Sequence, residues 1–269
     1  MTRPRSSTRR PGEPGRPRAA AIGRLVLASG GMLLAVLMVL AGAIGPRYGR
    51  VGRTTVAVSA GSRILLRALG IRLHHRGSVR DGAALVVANH VSWIDILVIA
   101  ATAPVVPVAK CEVEGWPLIG DLARRSGTVF VQRRPGRQLP GSVAQITATL
   151  RRGHRVLIFP ESTTGCGGPP SAFHRAGFQA AVDAAVPVVP VAIGYTDDQG
   201  RPTTSAVFVG DDDLLTSVWR VLRAGSLVAD VRWQPAAPAI EDGGHRTSHR
   251  ARAAGRAHGR ISRSLAAPS

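Results

Sequence analysis

Two residues that can work together in acid–base chemistry, His90 and Asp95, lie five positions apart in the stretch VVANHVSWIDIL. A carboxylate on one imidazole nitrogen fixes the tautomer and makes the other nitrogen a better base, which can then take a proton from a hydroxyl. The stretch also fits an ordinary helix start, because Ser92 and Asp95 have the S-x-x-D spacing of a capping box. Five positions on a continuous helix rotate by roughly 140°, so the pair can meet only if His90 lies in the turn before a helix that begins at Trp93. On spacing alone, the capping interpretation is favoured.

A second polar stretch, FPESTTG at residues 159–165, directly follows an apolar run. It offers one carboxylate, three hydroxyls and turn amides, which suit hydrogen bonding to a polyol or to a phosphate head group. The alternative is a polar loop with an exposed glutamate, and composition does not separate the two. The candidate substrate-binding residues here are Glu161, Ser162, Thr163 and Thr164.

Cations close two further apolar runs. The run GTVFVQRR ends in Arg133 and Arg134, and the run VVPVAK ends in Lys110. Guanidinium and ammonium groups bind phosphate, although paired arginines in loops are usually just solvated. These side chains are therefore candidate contacts for an anionic substrate.

The elements that must position these residues are short β-branched runs alternating with helical stretches from about Leu85 onward. Continuous apolar strands that alternate with helices predict an α/β fold, with a mostly parallel or mixed sheet covered by helices. Such sheets place their sites at the carboxyl ends of the strands, which is where His90 falls. Strands are predicted at 84–89, 105–110, 128–132, 155–160, 187–193, 205–210 and 227–233, and helices at 93–102, 114–126, 139–152, 173–184 and 211–223.

The N-terminal part of the chain predicts a membrane attachment. Residues 1–24 are rich in Arg, Pro, Gly and Ser and are expected to be a disordered basic arm. Residues 25–44 are uncharged and mostly apolar, and residues 54–73 mix an apolar face with arginines, as an interfacial helix does. A cleaved signal peptide is the competing interpretation of the first apolar block. Residues 25–44 have the length needed to cross a bilayer, but the positive-inside rule keeps the basic arm cytoplasmic, so a full crossing would put the body outside. If the body uses a cytosolic cosubstrate, we expect residues 25–73 to form instead a helical hairpin in one leaflet of the cell membrane, with the body on the cytoplasmic face.

Charge and cysteine content narrow the function classes. The net charge is +19, but residues 1–53 carry +9 and residues 243–269 carry +6, which leaves +4 for the body at 54–242. Basic tails around a near-neutral body suit an anionic membrane, and we expect no nucleic-acid partner. Cys111 and Cys166 have no metal-ligand spacing, so neither a metal nor a disulfide framework is expected.

Four blocks in order, N-H-x-S-x-x-D, G-x-x-F-x-x-R, F-P-E-x-T and V-P-V-x-P-V, resemble those of the glycerolipid acyltransferases typified by 1-acylglycerol-3-phosphate acyltransferases. The resemblance covers roughly residues 84–195 and implies an acyltransferase domain at 74–242, followed by a basic tail at 243–269. It implies transfer of a fatty acyl group from acyl-CoA or acyl carrier protein, as cosubstrate and with no other cofactor, to a lysolipid hydroxyl. Position by position, it makes His90 the general base and Asp95 its orienting partner. It also puts Lys110 and Arg133 at the acceptor's phosphate, and Glu161 with its neighbours around the acceptor.

The chain departs from the family pattern in the third block. Ser162 replaces the usual glycine, and Thr164 stands where a phosphate-binding arginine is usual. Arg175 is a candidate substitute cation. The expected acceptor is 1-acylglycerol-3-phosphate, with lyso-ornithine lipid or another lysophospholipid as the alternative. A non-catalytic membrane-anchored scaffold is the alternative from another class, and the intact His90 and Asp95 pair disfavours it.

Overall fold

One seven-stranded sheet with helices on both faces forms the body of the protein. The structure, a computed structural model, describes residues 18–43, 50–78, 81–117, 119–132, 139–165, 167–208, 213–224, 226–240 and 246–267. In these ranges the strands are β1 (Ile71–Arg76), β2 (Ala84–Ala88), β3 (Val106–Lys110), β4 (Val129–Val131), β5 (Arg155–Ile158), β6 (Val188–Thr196) and β7 (Leu227–Trp233).

The strand order is β1-β7-β6-β2-β5-β3-β4. The β6–β7 pair is antiparallel, and every other neighbouring pair is parallel. All five residues of β2 are buried, as expected of a central strand covered on both faces. The predicted α/β class, with a mostly parallel or mixed sheet, is confirmed.

Two layers of helices bury the two faces of the sheet. The helices are α1 (Arg18–Ala43), α2 (Arg50–Ala68), α3 (Ile94–Thr102), α4 (Ile119–Arg125), α5 (Leu139–Arg151), α6 (Ala176–Ala184), α7 (Leu214–Ala224) and α8 (Arg246–Ala266), with a 3₁₀ helix at Cys111–Gly115. One apolar core joins the sheet to α2, α3 and α7, and the other joins it to α5, α6 and α8. The loops at the carboxyl end of β2 and of its neighbour β5 are therefore held by a sheet that is fixed on both sides.

Strand β1 differs from the prediction, which extended one helix over residues 54–73. Helix α2 ends at Ala68, and Gly70 follows with φ +75°, a left-handed conformation in which glycine commonly ends helices. The chain then continues as β1, paired in parallel with β7. The prediction failed because the partner of β1 lies more than 150 positions away in the sequence.

The predicted strand at 205–210 also differs. Residues 205–208 lie in turn and irregular structure, and 209 and 210 are outside the described ranges. The backbone N–H of Phe208 donates to the carbonyl of Val91 at 2.9 Å. This segment therefore packs on the loop that follows β2 instead of joining the sheet.

The N-terminal helices α1 and α2 pack against each other. A Cβ at Gly31 of α1 would make ordinary van der Waals contact with Ala68 at 3.4 Å and Ile64 at 3.5 Å, so the two helices lie close together here. In the part of the chain that the structure describes, no helix has both the length and the apolar character needed to cross a membrane. The predicted insertion of the pair into one leaflet stays a prediction.

The C-terminal residues 243–269, predicted to be a basic tail, contribute α8. Four of its apolar side chains are buried against the sheet and α6, whereas Arg252 and Arg263 are exposed. Helix α8 therefore packs on the body, with Arg252 and Arg263 on its outer side and with Arg256 and Arg260 donating to the carbonyls of Pro238 and Pro235. The buried residues are Ala253, Ala254, Ala257 and Ile261.

Candidate active site

His90 and Asp95 meet at the carboxyl end of β2. The strand ends at Ala88, His90 lies in the turn that follows, and Asp95 lies in the first turn of α3. His90 Nδ1 is 2.8 Å from Asp95 Oδ2. The Asp95 side chain is fully buried, whereas 20% of the His90 side chain is exposed. The turn geometry thus overcomes the separation that a continuous helix would impose.

The loop between the two residues holds the Asp95 carboxylate from the backbone side. Asp95 Oδ2 also accepts hydrogen bonds from the backbone N–H groups of Val91 at 2.7 Å and Ser92 at 2.9 Å. Helix α3 begins at Ile94, and the Ser92 hydroxyl accepts only a long bond, 3.3 Å, from the Ile94 N–H. Trp93 takes the N-cap position of α3 with no side-chain cap, so Ser92 does not cap the helix as predicted. Asp95 does reach back to the Ser92 N–H, as the acidic residue of a capping box does, and the same carboxylate orients the imidazole. For Asp95, the two interpretations of the S-x-x-D spacing are compatible.

The second oxygen of Asp95 has a partner that sequence reasoning missed. The hydroxyl of Tyr195, on β6, donates to Asp95 Oδ1 at 2.6 Å. Burial, and then the neighbouring Asp95 charge, raise the pKa of Tyr195 well above its usual value, so the phenol stays protonated and donates. The only signal in the sequence is a tyrosine four residues after the end of the apolar fourth block.

The loop that carries His90 is fixed by the stretch FPESTTG. The His90 ring stacks on Phe159, with ring centroids 4.1 Å apart and an interplanar angle of 18°. The backbone N–H of His90 donates to Glu161 Oε1 at 2.9 Å, and the N–H of Gly165 donates to the carbonyl of His90 at 2.7 Å. The third block of the sequence thus supports the first.

Glu161 is buried and its carboxylate serves the protein itself. Besides the His90 N–H, it accepts hydrogen bonds at Oε2 from the backbone N–H of Ser171 at 2.9 Å and from the Ser171 hydroxyl at 3.0 Å. Only 6% of the residue is exposed. This positioning role was not foreseen, and the predicted contact of Glu161 with the acceptor stays a prediction.

Ser162 occupies a conformation that favours glycine. Its φ is +63°, and its N–H donates to the Phe159 carbonyl at 3.2 Å, which closes the turn. The glycine usual at this position in the family suits that φ without strain. Thr163, the next residue, is exposed, and Thr164 is half-buried.

The candidate cations lie at the rim of this edge. Lys110 is the exposed last residue of β3, the strand that neighbours β5. Arg175 is exposed and follows His174, whose backbone N–H donates to the carbonyl of Pro160 at 2.9 Å. The segment of Arg175 is therefore packed on the turn of the third block. Arg133, Arg134 and Cys166 lie outside the described residues.

This arrangement can remove a proton from a bound hydroxyl. With Asp95 at Nδ1, the basic lone pair of His90 is at Nε2, which has no hydrogen-bond partner in the ranges that the structure describes. The same ranges hold no group of three or more His, Cys, Asp or Glu side chains able to bind a metal ion.

Comparison with known proteins is consistent with this chemistry. A model of the Acyltransferase family matches residues 70–194. The chain is 43% identical over 161 residues to the lyso-ornithine lipid O-acyltransferase of Pseudomonas aeruginosa, covering 59% of this chain and 61% of that protein. It is 33% identical over 189 residues to the 1-acyl-sn-glycerol-3-phosphate acyltransferase of Neisseria gonorrhoeae, covering 70% of this chain and 73% of that protein.

A solved structure shares the fold. The 1-acyl-sn-glycerophosphate acyltransferase PlsC of Thermotoga maritima superposes with a TM-score of 0.66 over 92% of this chain and 94% of that chain. The sequence identity is 18%, so the likeness concerns the fold alone.

Proposed function

The chain belongs to the glycerolipid acyltransferase family, and we propose that it transfers a fatty acyl group from a thioester, acyl-CoA or acyl carrier protein, to a lysolipid hydroxyl. The observation that carries the proposal is the 2.8 Å contact between His90 Nδ1 and a fully buried Asp95 carboxylate, on a histidine that is still partly exposed. A histidine held in this way at the carboxyl edge of a sheet is suited to general-base catalysis.

In the proposed reaction, His90 Nε2 takes the proton of the acceptor hydroxyl while the oxygen attacks the thioester carbonyl carbon. The Asp95 anion stabilises the imidazolium that forms. The tetrahedral intermediate then collapses, the carbon–sulfur bond breaks, and the thiolate leaves with the ester product formed. Because a thiolate is a good leaving group, the step needs no strong general acid. The imidazolium returns its proton to the thiolate or to solvent.

The proposed acceptor is 1-acylglycerol-3-phosphate, and lyso-ornithine lipid is the second candidate. Lys110 and Arg175, both exposed cations at the site edge, support an anionic head group. Thr164, in place of the arginine usual in the family, favours the second candidate, as does the 43% identity to an enzyme named for that acceptor.

A panel of acceptors tests the function. The full chain in detergent micelles is given labelled acyl-CoA or acyl carrier protein with 1-acylglycerol-3-phosphate, lyso-ornithine lipid or another lysophospholipid. Labelled diacyl product from at least one acceptor is expected. A folded chain that acylates none of them with either donor would overturn the proposal and favour the scaffold alternative.

We also propose that α1 and α2 dock into one leaflet of the cell membrane, with the body on the cytoplasmic face. Support comes from a series of exposed apolar side chains on one helix, which water alone would not favour. A single cysteine placed after residue 243, in a chain without Cys111 and Cys166, is expected to resist an impermeant thiol reagent in whole cells. Labelling from outside would contradict the docking. The exposed side chains on α1 are Ile22, Leu25, Val26, Leu27, Leu33, Leu34 and Leu37.

A further inference from the structure

We propose that Tyr195 is a positioning residue for acyl transfer, which acts by fixing the Asp95 carboxylate that orients His90. The inference rests on the proposed function and adds to the reaction a residue of β6, the strand that carries most of the fourth sequence block. Among the described residues Tyr195 has a hydrogen bond to Asp95 and no hydrogen bond or ring contact with His90, so its effect on His90 must pass through Asp95.

The contact pattern of Asp95 shows what Tyr195 adds. The three donors at Oδ2, namely His90 Nδ1 and the N–H groups of Val91 and Ser92, come from the same short loop. Tyr195, at Oδ1, comes from a strand 100 positions further along the chain. A carboxylate held at one oxygen can still pivot about that oxygen, whereas bonds at both oxygens fix its plane. Tyr195 is therefore the contact that relates Asp95 to the sheet.

The strand that carries Tyr195 is itself locked to the His90 loop. Asn89, the residue before His90, uses its side chain to pair with the backbone of Ile193. Its Nδ2 donates to the Ile193 carbonyl at 2.9 Å, and its Oδ1 accepts from the Ile193 N–H at 2.8 Å. Ile193 is two residues before Tyr195 and, like it, packs in the core against α3. These two hydrogen bonds therefore hold the loop that carries His90 in a fixed position relative to β6, the strand that carries Tyr195.

Because Tyr195 and Asp95 are buried, loss of the Tyr195 hydroxyl would leave Asp95 Oδ1 without a replacement donor. Tyr195 is 7% exposed and Asp95 is fully buried, so water cannot readily replace a lost donor at Oδ1. Because the phenol stays protonated, it supplies a hydrogen bond without competing with His90 for a proton. Phenylalanine at this position would keep the ring packing and remove only the bond.

The kinetic test is a double-mutant cycle between Tyr195→Phe and Asp95→Asn. Tyr195→Phe is expected to lower kcat about 10-fold, with the KM values for donor and acceptor within about 2-fold of wild type. In the Asp95→Asn background, Tyr195→Phe is expected to have almost no further effect on kcat, because the carboxylate through which Tyr195 acts is already lost. An equal loss in both backgrounds would show that Tyr195 acts independently of Asp95, and a wild-type kcat in Tyr195→Phe would also overturn the proposal.

A spectroscopic test does not depend on acyl transfer, so its failure can be told from failure of the proposed function. In wild type, the hydrogen-bonded imidazole proton between His90 and Asp95 is expected as a downfield proton resonance that is lost in His90→Gln. Tyr195→Phe is expected to shift or broaden it. Thr147→Val, which removes a buried hydroxyl bonded within α5 on the other face of the sheet, is expected to leave it unchanged. An unaltered resonance in Tyr195→Phe would overturn the positioning role whether or not the chain transfers acyl groups.

Discussion

The turn that carries His90 and the rim that faces the expected acceptor lie at the same edge of the sheet but are held very differently. The turn is fixed by hydrogen bonds from three separate parts of the chain, namely Asp95, the stretch that holds Glu161 and Gly165, and Phe208. At the rim, the side chains of Lys110, Thr163, Thr164 and Arg175 make no hydrogen bond to any residue that the structure describes. A group that must point in one direction needs many constraints, whereas groups that meet a head group need only be within reach.

Under the proposed function, in which the rim meets the acceptor, this difference would account for relatives that are named for different acceptors. A substitution in the turn disturbs several buried hydrogen bonds, which costs about 1–3 kcal/mol for each polar group left unpaired. A substitution at the rim breaks none of the contacts that position His90. Acceptor preference can therefore change while the base and its partner stay in place.

The first prediction concerns a substitution at the rim that leaves the turn around His90 unchanged. Thr164→Arg restores the arginine usual in the family, and it is expected to raise the ratio of kcat/KM for 1-acylglycerol-3-phosphate over lyso-ornithine lipid. A charge-assisted hydrogen bond is worth about 1.5–3 kcal/mol, which corresponds to roughly a 10- to 100-fold change in the ratio. Steady-state kinetics with both acceptors measure it.

Thr163→Arg is the matched control for that prediction. It adds the same charge one position away, on an exposed residue. A smaller effect is expected, because the charge would not occupy the family position. If the two variants changed the ratio of kcat/KM values equally, non-specific attraction between the added positive charge and the phosphate would explain the effect. Position 164 would then have no specific role in acceptor choice.

The second prediction concerns the strain in the turn and has the smaller effect. Ser162→Gly is expected to raise the free energy of unfolding by about 0.5–1 kcal/mol, because relief of the left-handed strain exceeds the added entropy of the unfolded chain. Thermal or urea unfolding of the full chain measures the change. A loss of stability would mean that contacts of the Ser162 side chain outweigh the strain.

Two neighbouring residues at the end of α6, away from the site, provide controls for the effect of glycine on the free energy of unfolding. Ala185 has φ +54°, and Ala185→Gly is expected to give a similar gain. Ala184 ends the helix proper, and Ala184→Gly is expected to destabilise by up to about 1 kcal/mol.

Local patterns account for the parts of the site that the sequence could predict. The position of His90 after a buried strand and the S-x-x-D spacing both depend on neighbouring residues, and the structure brings His90 and Asp95 together as the turn geometry requires. The α/β class could be predicted because short β-branched runs alternate with helical stretches, and each of these patterns depends only on neighbouring residues.

Long-range pairing accounts for the rest. Tyr195 reaches Asp95 across 100 positions, and β1 forms only because β7 offers an edge. The role of Glu161 within the protein depends on the backbone of Ser171 and His90, which no spacing rule connects. Asp95, which positions His90, could be predicted because it lies five residues away, whereas Tyr195 and Glu161 hold their partners through long-range contacts that no local spacing marks.

The most direct measurement of the central claim is the rate of acyl transfer by His90→Ala in the full chain, with unfolding and micelle binding compared with wild type. Loss of a general base costs about 10²- to 10⁴-fold in rate, and we expect a loss of that size with the fold and micelle binding retained. A folded His90→Ala chain that acylates lysolipid at the wild-type rate would contradict the assignment of His90 as the base.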